Sequence, residues 1–166
     1  MLEELFRGLL QCIWAFLGSL CFGIVFNIRG KNLFYSAFGG FVAWVAYLLC
    51  GIAVPEEIVQ YFVASVVISI YSESMAVYRK TPVTVFIVLG MVPLVPGGSI
   101  FYTMQHLIMG EYQLSYKVGV YTFAIAGAIA MGILIASFLV QLFKFSITNI
   151  NQKKHKKEEK DNGKAL

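Results

Sequence analysis

The sequence predicts an all-α, polytopic membrane protein with five transmembrane helices, the fourth broken between Pro93 and Gly98. Three observations lead there. Of the 166 residues, 58% are hydrophobic and 13% charged, whereas soluble domains carry roughly 25% charged residues. The apolar residues fall in blocks long enough for the helices of about 20 residues that a bilayer requires. Alternating apolar and polar strands are absent, which argues against a transmembrane barrel.

The first span is expected over 5–28. It is longer than the apolar core of a cleaved signal, and no A-x-A-like site follows it. The second is expected over 33–53 and the third over 57–78. The fourth occupies the interrupted apolar run 82–109 and the fifth 117–143. Together they form a transmembrane domain over 1–151, followed by a basic tail over 152–166 that reads as disordered and cytoplasmic. Gly18, Gly23, Gly39 and Gly40 suit close helix packing. Ala124, Ala128, Gly132 and Ala136 recur every four residues along one face of the fifth span. Such a stripe permits close approach within the chain or homo-oligomerisation, and spacing alone leaves both open. Several aromatic residues near span ends, including Tyr35, Tyr61, Tyr78, Tyr112 and Tyr116, suit the membrane interface.

Charge placement supports the count of five. Arg29, Lys31, Arg79, Lys80, Lys144 and six tail lysines fall on one side of a five-span chain. Arg7, Lys117, Glu3, Glu4, Glu56, Glu57 and Glu111 fall on the other. The positive-inside rule then places the N-terminus outside and the C-terminus in the cytoplasm. The tail cluster Lys153, Lys154, His155, Lys156 and Lys157 anchors that topology and suits anionic headgroups of membrane lipids. A sequence pI near 9.0 does not imply nucleic acid, because six of 13 Lys and Arg residues lie in the last 14 positions. Cys12, Cys21 and Cys50 all lie in apolar runs without metal-ligand spacing, so they read as packing residues. No P-loop, dinucleotide fingerprint or nucleophile–base pair is present, so no enzyme activity, cofactor or metal is expected.

The chemistry concentrates at Pro93-Leu94-Val95-Pro96-Gly97-Gly98-Ser99. Proline lacks an N–H and clashes with the carbonyl four residues back, so Pro93 and Pro96 should orphan the carbonyls of Leu89 and Val92. Gly98 or Ser99 is expected to cap a second half-helix, leaving its first N–H groups, to about Tyr102, unpaired. Inside a bilayer such a break is tolerated only where protein or a water-filled cavity covers it. Its two ends offer complementary positions for the charged groups of a small zwitterion or an organic acid. Pro93, Pro96, Gly97, Gly98, Ser99 and Tyr102 are therefore the candidates for substrate binding or gating. Glu73, an acidic residue well inside a span, is a candidate for proton coupling or for a substrate ammonium. Its alternative is an ion pair with Arg79 or Lys80, which also mark the cytoplasmic loop. His106, with Gln105 beside it, is a weaker relay candidate, and Gln141 a weaker polar one.

The run Glu73-Ser-Met-Ala-Val-Tyr-Arg-Lys-Thr-Pro82, continuing to Gly90-Met-Val-Pro-Leu-Val-Pro-Gly-Gly98, resembles the threonine/serine exporter family in its short, C-terminal-type (YjjB-like) form. The motif falls on Glu73, Arg79, Pro82, Pro93, Pro96 and Gly97. The resemblance implies one half of a secondary transporter in a bacterial plasma membrane, working with a second five-span subunit. It implies export of threonine or serine, or of succinate as in some paired members. A non-transporting membrane scaffold and a channel subunit are the competing readings.

Overall fold

The computed structural model describes residues 2–162, and every element among them is helical. α1 spans Leu2–Val25, α2 Lys31–Ala53, α3 Glu57–Arg79, α4 Val83–Met91, α5 Gly97–Ile108 and α6 Tyr112–Asn162, with a 3₁₀ turn at Val92–Leu94 between α4 and α5. Four stretches are long and apolar enough to cross a membrane: Phe6–Val25, Lys31–Ala53, Glu57–Arg79 and Tyr112–Phe143. The pair Val83–Leu94 and Gly97–Ile108, bent by 52° at its break, makes a fifth span when counted as one. The protein is thus an all-helical, polytopic membrane protein.

The helix ends explain themselves locally. α1 stops because Asn27 turns left-handed (φ 57°), so Ile28 N–H reaches Gly23 O and Asn27 N–H reaches Ile24 O. The first span therefore ends three residues before the expected Ile28. α3 closes identically through Lys80 (φ 51°), with Thr81 N–H on Ala76 O, and Pro82 then forbids continuation. α5 ends at Gly110 (φ 77°), where glycine carries no steric penalty. α6 begins five residues before the expected Lys117 and continues to Asn162. Helical backbone therefore occupies most of the stretch expected to be disordered, where Lys and Glu are good helix formers. The side chains of Lys144, the tail lysines and His155 lie outside the described residues.

The core gathers residues near the middle of α2, α3 and α6 and from the 3₁₀ turn. Leu94 packs with Ala43, Ala64, Ile68, Ile125 and Ile129. The two halves of the broken span have different neighbours. α4 and the 3₁₀ turn lie against α1, α2 and α3, burying Phe86, Leu89, Gly90 and Leu94. α5 packs on α6 instead and buries no residue fully. Ser115 Oγ donates to Thr103 O at 2.9 Å, which ties α5 to α6.

α3 and α6 meet along small and hydroxyl side chains. Ser69 Oγ lies 3.0 Å from Ser137 Oγ, and Ser65 Oγ donates to Phe62 O at 2.7 Å. A Cβ at Gly132 would collide with Ser65 Oγ and stand 2.9 Å from Phe62 O. Gly132 and Ala136 are buried in this contact, whereas Ala124 is exposed. Half of the four-residue stripe is thus consumed within the chain. It cannot serve whole as a homo-oligomer interface. Among the glycines singled out from sequence, Gly23, Gly39 and Gly40 stand in close contacts, while Gly18 has open space around it.

Candidate functional site around the broken fourth span

The interruption falls where the prolines place it, but its hydrogen bonding differs from expectation. The chain tightens into a 3₁₀ turn, so Val92 N–H bonds Leu89 O and Val95 N–H bonds Val92 O at 3.3 Å. Both carbonyls expected to be orphaned are therefore satisfied. Tightening to i→i+3 is the standard repair at a helix end. The cap is also two or three residues earlier than expected. Pro96, not Gly98 or Ser99, is the N-cap of α5, with Ile100 N–H on Pro96 O at 3.1 Å and no side-chain cap. Gly97 N–H turns back to Val95 O at 2.7 Å.

The first turn of α5 keeps the feature that matters. Gly98 and Ser99 stand in it ahead of the Ile100 bond, and nothing lies within 4 Å of a Cβ built at Gly97 or Gly98. Their side of the helix is open at mid-span. Beside it is a groove of about 420 Å³ between α5 and α6, lined by Val95, Pro96, Ile100, Thr103, Met104 and Phe123 among others. The groove is apolar. Its hydroxyls at Thr103 and Thr122 are already committed to Ser99 O and Val118 O. Polar recognition there must come from the α5 backbone, whose positive dipole end faces the break. Pro96 lines this groove, Ser99 is half-buried next to it, and Tyr102 is exposed on the neighbouring face.

Glu73 is 6% exposed and not at the groove. It follows Ser65 and Ser69 at four-residue spacing, on the α3 face that meets α6. That face sets it apart from the groove between α5 and α6. Arg79 is engaged elsewhere as well. Its Nε donates to Asn32 Oδ1 at 3.0 Å and its guanidinium lies 5.4 Å from the Tyr35 ring centroid. Lys80 is exposed and forms the left-handed end of α3. His106 faces Glu111 at the end of α5, with Nδ1 2.6 Å from Oε2, which makes it a local pairing at the helix terminus. Gln141 is exposed. No cluster with metal-ligand composition occurs among the described residues.

Sequence reasoning missed three other groups. Ser19, Ser36 and Ser72 are fully buried, and their hydroxyls have no hydrogen-bond partner among the described residues. Leaving a buried hydroxyl unpaired costs about 1–3 kcal/mol. Serine is ordinary in membrane helices, so only the three-dimensional arrangement singles these out.

The model of a family described as "Threonine/Serine exporter, ThrE" matches residues 11–139 of the chain. No curated protein and no solved structure is significantly similar to it.

Proposed function

Since the chain belongs to the threonine/serine exporter family, we propose that it is one subunit of a secondary transporter that exports a small amino acid, threonine or serine, through alternating access. The family is one of membrane exporters, transporters rather than enzymes. The observation that carries the reading is the open first turn of α5. Backbone N–H groups at mid-span, without side chains over Gly97 and Gly98, suit the carboxylate of a small solute. The adjoining apolar groove accommodates a short aliphatic body.

The same opening supports a second five-span subunit. Lipid tails offer no partner to backbone N–H groups, so protein or a water-filled cavity has to cover this face. Both basic loops lie at one end of the bundle, with Arg79 hydrogen-bonded to Asn32 beside Lys31. That supports a cytoplasmic position for them in a bacterial inner membrane, with the N-terminus outside. The experiment is efflux of labelled threonine and serine from cells with and without this chain, in the presence of the second subunit. Efflux should depend on both. Unchanged efflux on deletion of this chain refutes the subunit reading, and loss of succinate efflux alone replaces the cargo with a dicarboxylate.

Glu73 is assigned to proton coupling in this reading. Glu73→Gln keeps the shape and hydrogen-bonding capacity and removes the titratable charge. The variant should assemble normally yet export at least about tenfold more slowly when a proton gradient drives the flux. Retention of the wild-type response to an imposed pH gradient would remove Glu73 from the coupling step.

A further inference from the structure

The three unpartnered serines share one neighbour. Ser19 of α1 points into the contact where Gly40 meets Pro93, since a Cβ at Gly40 would collide with Ser19 Oγ and stand 3.3 Å from Pro93 Cγ. Ser36 lies one turn from Gly40 on the same side of α2. Ser72 lies one turn from Ile68, whose side chain fills the space beside Gly90 of α4 and Gly39 of α2. All three hydroxyls thus belong to the wall that α1, α2 and α3 present to α4 and the 3₁₀ turn. The buried face of α4 answers them with Phe86, Leu89 and Gly90, which supply no side-chain donor or acceptor.

The seam is smooth as well as polar. Gly23, Gly39, Gly40 and Gly90 bring it close without interlocking knobs, and a Cβ at Gly23 would stand 2.8 Å from Leu89. Small residues at a packed contact allow one element to shear or tilt against another. The serines lie about 7–11 Å along the helix axes from the ends at Val25, Lys31 and Arg79, counted at the helical rise. That end is held by a small polar network. Arg79 Nε donates to Asn32 Oδ1 at 3.0 Å, Asn32 Nδ2 to Thr81 Oγ1 at 3.3 Å, and Thr81 Oγ1 to Arg79 O at 3.0 Å. It joins the start of α2 to the α3–α4 turn, across the mouth of the seam.

Building on the transport reading above, we infer that the seam between α4 and the α1–α3 wall is a gated route to the break for a small polar solute. Ser19, Ser36 and Ser72 are its lining hydroxyls, and Asn32, Arg79 and Thr81 are its latch. The structure is the closed state of this gate. Withdrawal of α4 gives the hydroxyls water, and then the hydroxyl or ammonium of the solute, as partners.

The test is thiol accessibility on the full chain, co-expressed with its second subunit, in membrane vesicles of both orientations. Cys12, Cys21 and Cys50 are replaced by alanine, and Ser19→Cys, Ser36→Cys or Ser72→Cys is introduced singly. The probe is a charged, membrane-impermeant methanethiosulfonate, and Lys80→Cys is the exposed control. The seam cysteines should react from the Lys80 side, more slowly than the control, and Asn32→Ala should raise their rate about tenfold. Threonine or serine should slow the reaction. Seam cysteines that stay unreactive in the Asn32→Ala background while Lys80→Cys reacts overturn the gate. So does reaction only from the opposite side, or at a rate that no exported solute changes. Reaction without any efflux of amino acid or dicarboxylate retains an opening seam and sinks the transport reading; efflux without reaction does the reverse. Should a cysteine variant fail to reach the membrane, Ser36→Ala with Ser72→Ala decides instead. Removing unpartnered hydroxyls should raise the thermal midpoint and slow efflux, and a lowered midpoint overturns the assignment.

Discussion

Gly132→Leu should cost the protein about 3 kcal/mol, the upper end for overpacking a tight contact. Even a methyl at this position meets Ser65 Oγ and Phe62 O of the facing helix, and the latter is backbone that cannot rotate away. The measurement is the thermal midpoint of the purified protein in detergent, read alongside Ala124→Leu. Ala124 occupies the same stripe two turns away and is exposed, so its variant should leave the midpoint within error. A smaller substitution separates the two obstacles. Gly132→Ala should destabilise, and adding Ser65→Ala should recover part of the loss, giving a coupling of about 0.5–3 kcal/mol as expected for residues in contact. Equal losses for Gly132→Leu and Ala124→Leu, or strict additivity in the cycle, would contradict the α3–α6 packing described here.

That contrast shows where the sequence stops being legible. The four-residue recurrence of Ala124, Ala128, Gly132 and Ala136 was visible, because helical periodicity alone puts them on one face. Which of them meets another helix depends on the tilt of α6 against α3, and no local pattern carries that tilt. Span positions were legible for the same reason that topology rules work: hydrocarbon demands long apolar runs, and loops must be polar. The spans at Lys31–Ala53 and Glu57–Arg79 fall within two residues of expectation. Proline chemistry located the break, since Pro93 and Pro96 cannot donate. The repair was not legible. Whether Leu89 O is orphaned depends on Val92 N–H swinging into a 3₁₀ bond, a few degrees of backbone that composition does not dictate. Glu73 was conspicuous because charge in a span is costly, yet its placement on the α6 side rather than at the break follows from helix rotation. Ser19, Ser36 and Ser72 were invisible because a serine that bonds its own helix and one that faces an apolar neighbour read alike in sequence.

Healing the break is the other change of large expected effect, and the structure makes it a clean one. Nothing lies within 4 Å of a Cβ at Gly97 or Gly98, and neither glycine needs a positive φ, so alanine fits at both without displacing anything. Each replacement favours helix by about 1 kcal/mol, and Pro96→Ala removes a penalty of about 3 kcal/mol. The triple variant therefore extends α5 back across 95–98 and straightens the join to α4, leaving Pro93 as its remaining kink. Straightening opposes the 52° bend and pulls Thr103 away from Ser115 on α6. It also pairs the first-turn N–H groups of α5 with carbonyls of its own helix, which withdraws them from any solute. The thermal midpoint should hold or rise while efflux falls at least about tenfold. A stabilised variant that no longer transports ties function to the interruption itself, because loss of stability then does not explain the lost flux. Undiminished efflux in the triple variant would mean that the bend only seats α5 on α6, and the search for the solute would then move to the serine-lined seam beside α4.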